Sequence, residues 1–159
     1  MIFSPQSRVW IYQSNRKFTS AEEAEILAKL EAFTGQWKAH GNELMAKAEI
    51  RYGYFIILTV DESQANVTGC SIDSSVRIIK DVEQTYNVDL FNRFNIAYKI
   101  ADEVHVQGKE DFETLVNIKN ITPETIVFNN MVQTLNELET KWEVPLKNSW
   151  HSTVFAHLL

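Results

Sequence analysis

The chain has 159 residues, 45% hydrophobic and 23% charged, with a formal charge of −6 and a pI near 5.2. This length and balance suit one folded domain around a single core and argue against disorder. The acidic balance argues against nucleic acid as a partner, since a phosphate backbone needs a basic face. A single cysteine permits no internal disulfide, so a reducing compartment, the cytoplasm, is expected.

The first residues, MIFSPQSRVWIYQ, hold no basic region followed by an apolar run, so no secretion signal is expected. Val9 to Gln13 reads as a first strand. Ser20 with Glu23 fits a capping box. Behind it Ile26, Leu27, Leu30, Phe33 and Trp37 recur at three-to-four spacing, the stripe of an amphipathic helix that stops at His40-Gly41. Leu44 to Arg51 and Tyr54 to Val60 read as two strands around a Tyr52-Gly53 turn, or as one long strand bulged at the glycine. The longest apolar run, Tyr54 to Leu58, is too short to cross a bilayer, so no membrane is implied.

Ser71 or Asp73 can cap the next helix, which carries Ile72, Val76, Ile79 and Val82 and ends at Tyr86-Asn87. Phe94, Ile96, Tyr98 and Ile100 alternate with polar or small residues as a half-buried strand does, with Val104-His105-Val106 available to pair beside it. Asp111 to Ile118 predicts a short helix with Phe112 and Leu115 inward. Thr122-Pro123 then opens a helix to about Lys141, although Thr125 to Phe128 can also form a strand. The tail, with Trp142, Trp150 and Phe155, is too apolar to be solvated and is expected to pack on the body or on another subunit, as in a homodimer. The order of elements predicts an α+β fold: a ferredoxin-like βαββαβ sandwich forming one domain over 1–159, with 123–159 as a helical C-terminal extension.

Several stretches carry a family resemblance. They are Arg8 to Phe18 (RVWIYQSNRKF), Trp37 to Gly41 (WKAHG), Thr68 to Arg77 (TGCSIDSSVR), Ile126 to Asn130 (IVFNN), Trp142 to Pro145 (WEVP) and Ser149 to Ser152 (SWHS). Together they resemble an uncharacterised bacterial family whose members are often labelled "ABC transporter ATPase", and the resemblance spans nearly the whole chain. It implies no site residues of its own. The label itself can be set against the residues. A phosphate-binding loop needs two glycines five apart followed by Lys and Ser or Thr. The five glycines, at 35, 41, 53, 69 and 108, contain no such pair, and Gly108-Lys109 is followed by Glu110. Phe55 to Glu62 looks like the strand of a Walker B motif ending in its two acids, yet without a phosphate cradle these acids more simply mark a strand leaving the core.

The remaining chemistry centres on Thr68 to Ser75. Cys70, just before a helix start, is a candidate nucleophile with His151 as base, and Trp150 would complete a site against the Cys70 turn. The plainer reading makes Cys70 a small buried packing residue beside Gly69. Arg77 follows Cys70 after six residues rather than five, so no tyrosine-phosphatase loop is written here. Thr68, Gly69, Ser71, Asp73 and Ser74 form a candidate anion-binding helix start, which capping alone also explains. Asn129 and Asn130, poor helix formers, are candidate ligand-binding amides. His40, His105, His151 and His157 lack metal-ligand spacing, and no cofactor is implied. Of these histidines, His40 suits a helix C-terminus and His105 an outward strand position. Two functions therefore stand: a binding or assembly module recognising a small anionic ligand or a protein, and a thiol-dependent hydrolase or transferase using Cys70.

Overall fold

The computed structural model describes residues 2–159 and has the expected α+β class, with short helices in the C-terminal region. The chain divides into two compact units. The first comprises residues up to Phe91 together with Gln133–Leu138, and the second comprises Asn92–Val132 and Glu139–Leu159.

The first unit contains a three-stranded antiparallel sheet of β1 (Arg8–Gln13), β4 (Met45–Arg51) and β5 (Phe55–Asp61), ordered β1-β5-β4. A short ribbon of β2 (Lys38–Ala39) and β3 (Asn42–Glu43) precedes β4. Every residue of β5 is buried, as a continuous apolar run in a central strand should be. Its Ile56 and Leu58 join Ile26 and Leu30 from α1 (Ser20–Thr34) and Ile79 and Val82 from α2 (Gly69–Tyr86) in the main core. Trp37, Ala39, Leu44 and Val60 form a smaller cluster beside it.

The β4–β5 hairpin is the one expected, not a bulged single strand. Tyr52 and Gly53 both have positive φ, 58° and 72°, the condition a mirror-image turn imposes so that strand twist continues through it. A Cβ on Gly53 would lie 3.1 Å from the Lys17 side chain in a backbone region L-residues avoid. Gly53→Ala is expected to lower stability by about 1–2 kcal/mol, read from the midpoint of urea unfolding. A change below about 0.3 kcal/mol would mean that the turn relaxes freely.

Three local expectations are corrected. The capping box of α1 is Thr19 with Glu22, not Ser20 with Glu23: the Thr19 hydroxyl accepts from the Glu22 N–H at 3.1 Å and the Glu22 carboxylate accepts from the Thr19 N–H at 2.9 Å. The helix also ends at Thr34, so Trp37 lies beyond it, and His40-Gly41 forms the β2–β3 turn with φ of 51° and 79° rather than a helix terminus. Finally, the strand expected to complete a ferredoxin-like sheet goes elsewhere. The open side of β1 is instead met by residues 133–135: the Val9 N–H donates to the Gln133 carbonyl, the Leu135 N–H to the Ser7 carbonyl, and Arg8 bridges Thr134.

In the second unit β6 (Asn95–Ile100), β7 (Glu103–Gly108), β8 (Ile126–Phe128) and β9 (Glu143–Pro145) form an antiparallel sheet ordered β7-β6-β8-β9. The strand option at 125–128 is realised, and the long helix expected from Pro123 is not. Thr122 and Thr125 close a turn on each other, and Ile126 to Phe128 pair with β6 and β9. Helix remains at α3 (Lys109–Asn117), α4 (Leu135–Lys141, shared between the units) and α5 (His151–Val154), with single 3-10 turns at Leu146–Asn148 and Ala156–Leu158. Ile96, Tyr98, Phe112, Val127, Leu146 and Phe155 lie in the core of this unit, so part of the apolar tail packs on the body as expected. Phe94 and Ile100, expected inward, are instead 66% and 42% exposed at the two ends of β6.

Candidate functional site

The segment leaving β5 delivers the start of α2, and its acids hold it in place. Asp61 accepts from the Ser4 N–H at 3.0 Å and the Ser63 N–H at 2.9 Å, and these donors, Ser4 foremost, keep its carboxyl below the ordinary range. Glu62 accepts from the Val67 N–H at 3.0 Å and lies 3.8 Å from the Arg8 guanidinium. The pair that resembles a Walker B ending is thus engaged with the protein's own backbone.

Helix α2 starts earlier than expected, with Thr68 as its cap and Asp73 inside it. The Thr68 hydroxyl accepts from the Ser71 N–H at 3.2 Å, and the Ser71 hydroxyl accepts from the Thr68 N–H at 2.6 Å. Ser71, Ser75, Ile79 and Val82 are the buried positions of the helix. Ser75 turns its hydroxyl back to the Ile72 carbonyl at 2.6 Å, and the Ser71 carbonyl accepts the Trp37 indole N–H at 2.8 Å. These contacts explain why two serines tolerate a buried face.

Cys70 is exposed, so its reading as a buried packing residue is corrected. Burial on α2 follows Ser71 and Ser75, and Cys70 falls off that stripe. Gly69 and Asp73 are exposed beside it, and Ser74 donates to the Cys70 carbonyl at 3.1 Å while accepting from Arg77 at 3.1 Å.

His151 belongs to the second unit and Cys70 to the first. The His151 side chain is buried, its Nδ1 lies 2.7 Å from the Ser149 hydroxyl, and its ring stacks on Trp150 with centroids 3.7 Å apart. Burial pushes its pKa down to about 4, so the ring is neutral near pH 7. The buried indole N–H of Trp150 meets no acceptor. His105, expected outward, stacks on Tyr98 at 5.4 Å. The amides of Asn129 and Asn130 are both engaged: Asn129 Oδ1 accepts from the Met131 N–H, and Asn130 Oδ1 accepts the Trp142 indole N–H at 2.9 Å.

No family model, curated protein or solved structure matches the chain. Among the described residues no group of three or more His, Cys, Asp or Glu side chains is placed to hold a metal ion, and no helix is long and apolar enough to cross a membrane.

Of the residues singled out in the sequence, Thr68, Gly69, Cys70, Ser71, Asp73 and Ser74 come together at the start of α2. In the second unit the half-buried Trp150 stacks on the buried His151, and Asn129 and Asn130 lie after β8. Ser149, the partner of His151, was legible only as part of the SWHS tetrad, since its role depends on the turn that brings its hydroxyl to Nδ1 of the ring.

Proposed function

We propose that the protein is a cytoplasmic binding and assembly module that works through its surface and lacks ATPase activity. One observation carries this reading: most of the polar side chains that offered chemistry in the sequence, Cys70 and Asp73 excepted, are committed to the fold. Asp61 and Glu62 hold a loop, Thr68 and Ser71 cap α2, Ser75 bonds a helix carbonyl, and His151 is buried and neutral. An acid–base site needs such groups free and converging on a reacting atom. What faces outward near α2 is a recognition surface of Gly69, Cys70, Asp73 and Arg77, suited to a protein or a small anion. ATP with Mg²⁺ is expected to leave the thermal midpoint unchanged, whereas a rise of several degrees would reinstate nucleotide binding.

The exposure of Cys70 in the first turn of α2 favours a second reading, a thiol nucleophile at the positive end of a helix. On the binding reading Cys70 is alkylated by iodoacetamide at the rate of a free cysteine at neutral pH. A rate ten or more times faster, together with loss of a measured activity in Cys70→Ser, would establish the enzyme instead.

A further inference from the structure

We propose that residues 63–67 form a strap that opens locally over the Trp10–Trp37 cluster, with the Glu62 carboxylate as its latch. The strap stands whether or not the outward face of α2 recognises a ligand. It runs between two fixed anchors. At one end Asp61, the last residue of β5, accepts from the Ser4 and Ser63 N–H groups at 3.0 and 2.9 Å. At the other, Thr68 and Ser71 cap each other at the start of α2. Among the described residues, 63–67 make no backbone–backbone hydrogen bond. Between the anchors, again among the described residues, the one hydrogen bond runs from the Val67 N–H to the Glu62 carboxylate at 3.0 Å.

What the strap covers is aromatic. Its half-buried Ala65 and Val67 pack against the cluster of Trp37, Ala39, Leu44 and Val60, while Ser63, Gln64 and Asn66 face outward. Trp10 meets Trp37 edge-on at 6.0 Å, and Phe33 lies 5.0 Å from the same ring. The Arg8 guanidinium sits 4.8 Å over Trp10 and 3.8 Å from Glu62, so the latch is drawn toward the cluster it closes. Two small apolar side chains and one carboxylate bond are a weak hold beside the full ladders of β5, and segments held this way open at a small fraction of the global cost. Opening swings the strap about its anchors, leaves the sheet and α2 intact, and uncovers one side of the tryptophan pair. That side adjoins the first turn of α2, where the Trp37 indole N–H already meets the Ser71 carbonyl.

Elastase, which cuts after small apolar residues, reads the open state in the full chain. Cleavage after Ala65 or Val67 is expected at a rate that stays flat in urea well below the unfolding midpoint, as local opening requires. Glu62→Ala removes the latch and should speed this cleavage about tenfold or more, with stronger acrylamide quenching of tryptophan fluorescence. Glu62→Gln keeps an acceptor for the Val67 N–H but loses the charge, and should fall between the two. Trp142→Phe, a destabilising change in the other unit, should leave the rate where it is. No cleavage below the midpoint, cleavage that rises only with urea unfolding, or an equal gain in Trp142→Phe would show that global unfolding alone frees the segment, and would overturn the strap. A wild-type rate in Glu62→Ala overturns the latch. Faster cleavage without added quenching overturns the cover over the tryptophans.

Discussion

Replacing Trp142 by alanine is expected to lower stability by about 3–5 kcal/mol, the largest effect of any single substitution considered. Trp142 is 1% exposed and meets Phe128 edge-on at 4.9 Å. Its indole N–H donates to Asn130 and its carbonyl accepts from the Asn129 N–H at 2.7 Å, so it ties the end of α4 to the segment after β8. Alanine removes the packing, leaves a cavity and takes the donor from Asn130, while the backbone bond survives. Trp142→Phe keeps most of the packing and loses the indole donor, which should cost about 1–2 kcal/mol. Urea unfolding of the two variants separates packing from hydrogen bonding. Equal losses would show that the hydrogen bond, not the ring, is what the fold requires.

Acidification should destabilise the protein through His151. In the unfolded chain the imidazole takes a proton near pH 6.5, whereas burial holds the folded value at about 4. Between these values the unfolded state binds more protons, so stability falls as the pH drops. The benefit of the neutral ring is complete above pH 6.5 and is lost by pH 4, in total about 3 kcal/mol. Glu22, held down near 2 first by its hydrogen bond from Arg16, and Asp61, held down by the Ser4 and Ser63 N–H groups, act in the same direction but at lower pH. Each stabilises above its unfolded value, near 4, and loses that contribution as pH falls through the folded one. Measurement between pH 7.5 and pH 5 therefore isolates the histidine, and a fall of about 2 kcal/mol is expected there. His151→Gln can still meet the Ser149 hydroxyl but does not titrate. It should flatten the profile in that window, and a slope that survives the substitution would place the proton uptake elsewhere.

The fold class, the β4–β5 hairpin and both long helices were legible because they rest on local signals: a glycine turn, a capping residue and an apolar stripe. What escaped was decided at long range or by ambiguity at one position. Thr19-x-x-Glu22 and Ser20-x-x-Glu23 are both capping boxes on paper, and only the extended backbone of Thr19 selects the first. Ile126 to Phe128 suits either structure until β6 and β9 offer edges to pair with. The partner of β1 near residue 134 left no mark in the sequence, because two or three hydrogen bonds carry no pattern. On α2 the buried stripe was hard to see since serines at 71 and 75 occupy it. Small hydroxyls bonded within their own helix and its cap imitate a solvated face, and that is why the exposure of Cys70 was missed.

The strand-like contact beside β1 has a consequence for synthesis. A chain leaving the ribosome presents β1, β4, β5 and both long helices early, yet the residues that close the open side of β1 emerge only after most of the second unit. Vectorial folding, in which amino-terminal parts settle first, therefore leaves β1 with an unpaired edge while some forty residues of the other unit are added. That waiting interval, rather than the finished protein, is when chaperone capture or mispairing with a neighbouring nascent chain has its opportunity.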